Sequence, residues 1–178
     1  MILQGGAVRW IPGGPALVLV LLMLTVLLSD SAGPGPAWFG AREHETGDVL
    51  LSLPVELGQR VELVHTHSVH RRPVHEVYSV SVSDGLLMEE IRFDAHGANL
   101  PSGPETIGGV TTTFERVASG YRADHHGRPL GTVRMVVGSR DVDHRLVVAD
   151  KEIRLLDLAE PGTRIELYTW THLRDPGE

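Results

Sequence analysis

The sequence predicts an all-β protein: an antiparallel β-sandwich or partly open barrel of about eight to nine short strands, preceded by an N-terminal hydrophobic helix. Short segments rich in Val, Thr and Leu recur along the chain, separated by Gly, Pro, Asp and Asn. No window of about fifteen residues has the periodicity of an amphipathic helix. The segments follow one another too closely for crossover helices, so we expect mostly antiparallel pairing.

The N-terminal segment predicts export. Residues Ala16 to Leu28 are apolar and uncharged, Arg9 precedes them, and the small residues Ser29 and Ser31 permit cleavage. This stretch is short for a bilayer span of ~20 residues and suits a signal peptide, although an uncleaved membrane anchor stays open. In either case the positive end stays inside. We therefore expect an extracytoplasmic domain, either secreted or anchored to the outer side of the cell membrane.

This interpretation divides the chain into three parts. Residues 1–32 are the signal peptide or anchor, 33–46 a Pro/Gly linker, and 47–178 the exported all-β domain. Trp38 and Phe39 then either lie in the headgroup region of a membrane or begin the folded domain.

Nine segments of the folded part are candidate strands. Each is short, rich in β-branched or apolar residues and bounded by turn-forming residues. In chain order they are Val49–Val55, Arg60–Val69, Val74–Ser83, Leu86–Ala95, Gly109–Ala118, Gly131–Val137, Arg145–Ala149, Glu152–Leu158 and Arg164–Trp170.

The dipeptide Asp84-Gly85 predicts a two-residue hairpin, because a type I′ turn requires positive φ at both central positions. Glu89 then falls on the apolar face, so we expect a β-bulge that turns it away. The resulting pairs are Val82 with Leu87, Tyr78 with Ile91, and Glu76 with Phe93.

Two further turns extend this register. A turn centred on Arg71-Arg72 places the apolar residues of three strands on the same face of the sheet. A second hairpin is predicted at Asp150-Lys151. The resulting pairs are Val69 with Val74, His67 with Glu76, His65 with Tyr78, Leu63 with Val80, Val61 with Val82, Val148 with Ile153, and Leu146 with Leu155.

His67 and Glu76 form the main candidate site for binding or contact. In the predicted register they lie directly opposite each other on an otherwise apolar face, with Cβ atoms ~5 Å apart. They are either a ligand-binding or acid–base pair in a pocket, or a satisfied polar pair that fixes the register. His65 and Tyr78 form the neighbouring pair, which suits a contact site, edge capping or core packing.

A metal site is another possibility for these residues. His65-x-His67 places two imidazoles on one strand face, a spacing that zinc sites use, and Glu76 could be a third ligand. An independent small-molecule or metal-binding module is therefore the alternative function. His125 and His126 lie in a predicted polar turn, and the sequence does not show whether they approach this set. We predict no cofactor.

The composition and motifs argue against several functions. The chain has 178 residues, no cysteine and a net charge of −7 without a basic run. Thiol catalysis and thiolate metal sites are thereby excluded, and nucleic acid is not expected as a partner. A Gly-rich phosphate loop, a G-x-S-x-G elbow and an HExxH motif are missing from the sequence. We therefore predict no catalytic residues and a non-enzymatic protein, with a hydrolytic enzyme as the third hypothesis.

The connection from His96 to Gly109 is a second candidate surface. It is long and rich in Gly and Pro, and long ordered loops are often functional. Asn99 in this loop is a candidate contact residue.

Several motifs resemble a bacterial and archaeal family, domain of unknown function 1850. The segment HSVHRRPVHEVY, His67 to Tyr78, resembles its signature of HSV, a short gap, PV, one residue, Glu, one residue and an aromatic. Arg92-Phe93 and the block Gly97 to Pro101 resemble its RF and GAGLP stretches. Two further segments, His144 to Leu146 and Pro161 to Leu167, resemble its closing blocks.

The chain departs from the family pattern at two positions. Asn99 stands where the family often has Gly, and His70 stands where an acidic residue is common. The resemblance implies a small exported or membrane-anchored protein. Genes of the family often lie beside permeases of tripartite ATP-independent periplasmic (TRAP) transporters of the TAXI solute-receptor type. The resemblance also implies an accessory protein that contacts a TRAP transporter permease or solute receptor, and it adds weight to His67 and Glu76.

Overall fold

The computed structural model describes residues 37–171, which form β-strands and one short 3₁₀ helix at Leu155–Asp157. No α-helix occurs in this range and every strand pair is antiparallel, so the all-β prediction is confirmed. The strands are β1 (Ala37–Glu43), β2 (Val49–Val55), β3 (Arg60–Thr66), β4 (Pro73–Ser81), β5 (Gly85–Phe93), β6 (Thr106–Ile107), β7 (Val110–Thr111), β8 (Thr113–Val117), β9 (Gly120–Gly131), β10 (Val133–Val136), β11 (Arg145–Val148), β12 (Lys151–Arg154) and β13 (Arg164–Thr171).

Two sheets pack face to face around one core. The smaller sheet has the strand order β10-β13-β1-β2, the larger β12-β11-β3-β4-β5-β9-β8, and β6 pairs with β7 in a separate ribbon. Phe39 and Leu167 of the smaller sheet and Leu86 and Leu146 of the larger are fully buried in one apolar cluster. Two sheets that share a core form a sandwich, which decides between the two closures that the sequence predicted.

Strand β1 corrects the predicted linker over residues 33–46. Ala37–Glu43 lies inside the smaller sheet and pairs with both β2 and β13. A Cβ at Gly40 would lie 2.6 Å from the Leu51 carbonyl oxygen and 2.8 Å from the Trp170 ring, so glycine is required for this packing. The strand was missed because Ala and Gly carry little strand propensity.

Strand β9 was also missed, because its middle was interpreted as a polar turn. Asp124 pairs with Glu90 and Arg128 with Met88, so the intervening residues of both strands form a bulge. Within this bulge His126 has a φ of 53°, a conformation common in turns. Glu89 lies in the bulge and accepts a hydrogen bond from Ser79 Oγ, which confirms the bulge predicted there.

The predicted hairpin registers are displaced along the strands. β3 ends at Thr66, before the predicted turn, because His67 starts a closed loop instead of continuing the ladder. The displacement between β3 and β4 is even, so the predicted inner-face residues that stay within these strands still share that face. His67, Val69 and Val82 lie outside the strands and leave it. The observed pairs are His65 with Val74, Leu63 with Glu76, Val61 with Tyr78, Glu76 with Ile91, Tyr78 with Met88, Leu146 with Ile153, and Val148 with Lys151.

No helix within residues 37–171 is long and apolar enough to cross a membrane. The predicted N-terminal hydrophobic helix, as signal peptide or anchor over 1–32, lies outside the described residues. Export and location therefore stay predictions.

Candidate functional site

A polar cluster interrupts the inner face of the larger sheet. It comprises His65 on β3, Glu76 and Tyr78 on β4, and His144 immediately before β11. The Tyr78 hydroxyl donates a hydrogen bond to Glu76, and His65 Nδ1 lies 3.9 Å from the other carboxylate oxygen. The His65 and His144 rings are 5.2 Å apart. The fold therefore unites three of the predicted site residues and adds His144.

Burial sets the protonation of this cluster. The pKa of His144 is lowered to about 4, first by burial and then by the nearby charge of His65, while Asp143 opposes the shift. Burial also lowers the pKa of His65, against the opposing charge of Glu76. The pKa of Tyr78 is strongly raised, first by burial and then by Glu76. At neutral pH the two imidazoles and the phenol are therefore uncharged.

The cluster has unused hydrogen-bonding capacity. His144 Nδ1 accepts the Gly138 amide hydrogen at 3.0 Å, which places the ring proton on Nε2. His65 Nδ1 is buried and has no hydrogen-bond partner in the described part of the chain. His65 Nδ1 can therefore take a further hydrogen-bond partner, because its 3.9 Å separation from Glu76 exceeds hydrogen-bond distance.

His67 does not face Glu76, which corrects the predicted pair. Its Nδ1 accepts the amide hydrogens of Val69 and His70, both at 3.3 Å. Its Nε2 then carries the proton and donates to the Ala98 carbonyl at 3.0 Å. His67 thus closes its own turn and fastens a distant loop, so its role is to position that loop.

Residues 94–105, which we call the 94–105 loop, are fastened at several points. Asp94 forms an ion pair with Arg72, and His96 stacks in a cluster with Phe93, Phe114 and Tyr121. Asn99, with a φ of 65°, occupies the left-handed region, which asparagine and glycine tolerate better than most residues.

A cavity of about 580 Å³ lies between this loop and the larger sheet. His125 is 4% exposed, its Nδ1 lies 3.1 Å from Thr112 Oγ1, and its Nε2 has no hydrogen-bond partner among the described residues. Nε and Nη1 of Arg128 are likewise buried and without a partner there. The lining residues are Ile91, Asn99, Leu100, Pro101, Ser102, Gly103, Pro104, Glu105, His125 and Arg128.

Burial and the Arg128 charge both lower the pKa of His125, burial being the larger cause. The charges of Asp124 and Glu105 oppose this shift, and that of His126 adds to it. His125 is therefore neutral at neutral pH, beside an arginine that is always charged.

A second cavity, of about 740 Å³, lies on the outer face of the larger sheet beside Gly58 and Gln59. Its glutamate already has partners, because Glu62 is 2.7 Å from both His75 and Arg92. The first cavity is the better binding site because its polar nitrogens are still available.

The predicted metal set is not assembled. Within residues 37–171 no three or more His, Asp or Glu side chains are grouped so that they could hold a metal ion. His65 and Glu76 are neighbours, but His67 faces Ala98.

The profile of the family described as Domain of unknown function (DUF1850) matches residues 61–155, more than half of the chain. The chain belongs to this family. No curated protein and no solved structure matches it. The DUF1850 match covers the polar cluster, the 94–105 loop and the cavity, whereas β1, β2 and β13 lie outside it.

Sequence reasoning missed the importance of His144, His125 and Arg128. In the sequence, His144 stands out only as the start of a segment that resembles a family block, yet Gly138 lies close to it, since a Cβ there would be 3.1 Å from the His144 ring. The sequence did not predict that His125 and Arg128 lie on a strand, because the bulged middle of β9 resembles a turn. The signal that His125 and Arg128 share is that both are polar side chains on one strand, and this is visible only when β9 is recognised.

Proposed function

We propose that this DUF1850 protein is a non-enzymatic, extracytoplasmic accessory subunit of a TRAP transporter of the TAXI type. In this role it contacts the transporter permease or its solute receptor. The family resemblance supports the partner, because such genes often lie together. The apolar segment Ala16 to Leu28 supports export or membrane attachment.

The fastened 94–105 loop is the observation that carries the proposal. His67 holds Ala98, and Arg72 holds Asp94, so the loop is tied at both its middle and its start. Ser102 and Glu105 are exposed on it. A long loop held on a rigid sheet presents a preformed contact surface, which lowers the entropy cost of binding.

A cross-linking experiment in cells tests this role. A photoreactive residue replaces Ser102 in the tagged full-length chain, and a matched control carries it at Asp150. Asp150 is also exposed, but it lies beyond the Val148–Val61 pair, at the opposite end of β3 from the loop. We expect Ser102, and not Asp150, to capture a TRAP permease or solute receptor from the membrane fraction. Capture from neither position, or equally from both, contradicts the proposed contact surface.

An independent small-molecule-binding module is the second candidate function. The cavity under the loop favours it, because its volume lies within the range of small-molecule sites. A domain recovered free of transporter components, yet still binding a small molecule, would support this candidate over the first.

A further inference from the structure

We infer that the cavity beneath the 94–105 loop binds a small organic carboxylate whose charged group is held by Arg128 and His125. This deepens the second candidate function and does not depend on the transporter as a partner. The donors, Arg128 and His125, are not among the residues of the predicted metal site.

The first reason is the surplus of buried donors. Arg128 carries a permanent charge, and its Nε and Nη1 have no hydrogen-bond partner within residues 37–171. His125 Nε2 also has no hydrogen-bond partner within this range, and the His125 side chain is only 4% exposed. Buried polar groups are normally paired, and buried charges especially so. An anionic oxygen ligand would satisfy these nitrogens together.

The second reason is that the nearby acidic groups leave Arg128 available. No carboxylate in the described part of the chain forms an ion pair with Arg128. Asp124 already contacts Arg122 at 3.4 Å and His126 at 3.2 Å. Glu105 lies at the exposed wall of the cavity, where solvent screens its repulsion of an anion.

The third reason concerns the body of the ligand. The cavity wall includes the apolar side chains of Ile91, Leu100 and Pro101 as well as the polar groups. A volume of about 580 Å³ exceeds the needs of an inorganic ion. A carboxylate attached to a short apolar chain matches both parts of the wall.

His125 is also preorganised. Binding of a carboxylate requires the tautomer in which the Thr112 hydroxyl donates to His125 Nδ1 and the ring proton lies on Nε2, and the 3.1 Å contact between Thr112 Oγ1 and Nδ1 permits it. The Thr112 amide donates to the Glu105 carbonyl at 2.8 Å. These bonds link the imidazole to the end of the loop, which leaves Nε2 as the ring atom available to a ligand. A fixed donor loses little conformational freedom when the ligand binds.

Nuclear magnetic resonance of the full-length chain in detergent, with labelled histidine, tests the inference. The probes are butyrate, its neutral analogue butyramide, and inorganic phosphate, and the readout is the His125 ring signal, assigned with His125→Gln. We expect a saturable shift with butyrate alone. Arg128→Gln should weaken this binding about tenfold or more, because it removes the charge-assisted bonds.

Two further variants sharpen the test. Arg116→Gln removes an exposed arginine of β8 that does not line the cavity, and it should leave butyrate binding unchanged. Glu105→Gln should keep or tighten butyrate binding, whereas it would weaken binding of a cation. An unchanged fold in each variant is checked from the remaining histidine signals.

Several outcomes overturn the inference. They are no saturable shift with butyrate, equal binding of butyramide, binding of phosphate in place of butyrate, or full butyrate affinity in Arg128→Gln. The transporter proposal is judged separately by the Ser102 cross-link, so failure of one does not count as failure of the other.

Discussion

Burial determines the protonation state of individual side chains in this fold. His65 and His144 would titrate near pH 6.5 in an unfolded chain, but removal from water disfavours their charged forms. Glu76, the carboxylate beside His65, is engaged by the Tyr78 hydroxyl. The polar cluster is therefore neutral at its imidazoles and accepts protons only in acidic solution.

The lowered His144 pKa predicts a loss of stability in mild acid. Above pH 6.5 both folded and unfolded states carry a neutral ring, so stability is complete. As pH falls from about 6.5 towards 4, the unfolded chain takes up a proton that the folded protein resists, and the free energy of unfolding decreases. We expect a decrease of about 1 kcal/mol between pH 7.5 and 5, allowing for solvent screening of the partly exposed ring.

Urea unfolding of His144→Asn measures this contribution. The Asn oxygen can still accept the Gly138 amide hydrogen but does not titrate, so the variant should lose less stability than the natural chain over this interval. His70→Asn, at an exposed ring, is the control and should retain the natural pH dependence. Parallel curves for the natural chain and His144→Asn would show that His144 is not the titrating group.

Among the larger elements, the 94–105 loop and the turn that follows β3 depend on each other. One imidazole, His67, accepts two amide hydrogens of its turn and donates to Ala98 of the loop. Gly97 lies against this ring, since a Cβ there would be 2.7 Å from His67 Nε2. The contact requires both a histidine in one tautomer and a residue without a side chain.

The close approach of Gly97 predicts that Gly97→Ala loosens the loop. The added methyl displaces His67 and breaks its bond to Ala98, at an expected cost of about 1–2 kcal/mol. Amide hydrogen exchange should accelerate over residues 96–105 while β11 and β13 stay protected.

Gly103→Ala is the matched control. It lies in the same loop, and a Cβ there meets no atom within 4 Å. We expect exchange like that of the natural chain. Equal protection in both variants would mean that the His67–Ala98 bond does not hold the loop.

The whole sandwich depends on a segment that resembles a linker. β1 lies between β2 and β13, and Phe39 is fully buried against residues of the larger sheet. On the outer face Glu166 of β13 binds Arg42 of β1 and Arg134 of β10, and these bonds lower its pKa to about 2. β1 is therefore held in the smaller sheet both by packing in the core and by an ion pair on the outer face.

Truncation tests this dependence. A chain of residues 47–178 lacks β1, which removes Phe39 from the core and leaves β2 and β13 without their shared neighbour. Typical stabilities are about 5–15 kcal/mol, and the loss of a large buried aromatic costs about 3–5 kcal/mol before any strand pairing is counted. We expect no cooperative urea transition. A chain beginning at Gly33 is the control, and equal unfolding midpoints for both would refute a structural role for β1.

The existence of a strand was predictable where a short apolar run is bounded by turn-forming residues, whereas the register between strands was not. Val49–Val55 was predicted with its observed bounds, because its apolar pattern is local information. The β3–β4 register failed because His67 ends the strand through hydrogen bonds to residues further along the chain. The even displacement kept His65, Glu76 and Tyr78 on one face, so part of the candidate site survived the wrong pairing.

Local sequence thus specified most of the strands, the family and the face shared by His65, Glu76 and Tyr78, because these follow from short periodic patterns and motifs. Sandwich closure, the inclusion of β1 and the cavity at His125 and Arg128 came from contacts between distant segments. Such contacts depend on which strands become neighbours and on how a bulge redirects a side chain. Neither property is contained in any single stretch of the chain.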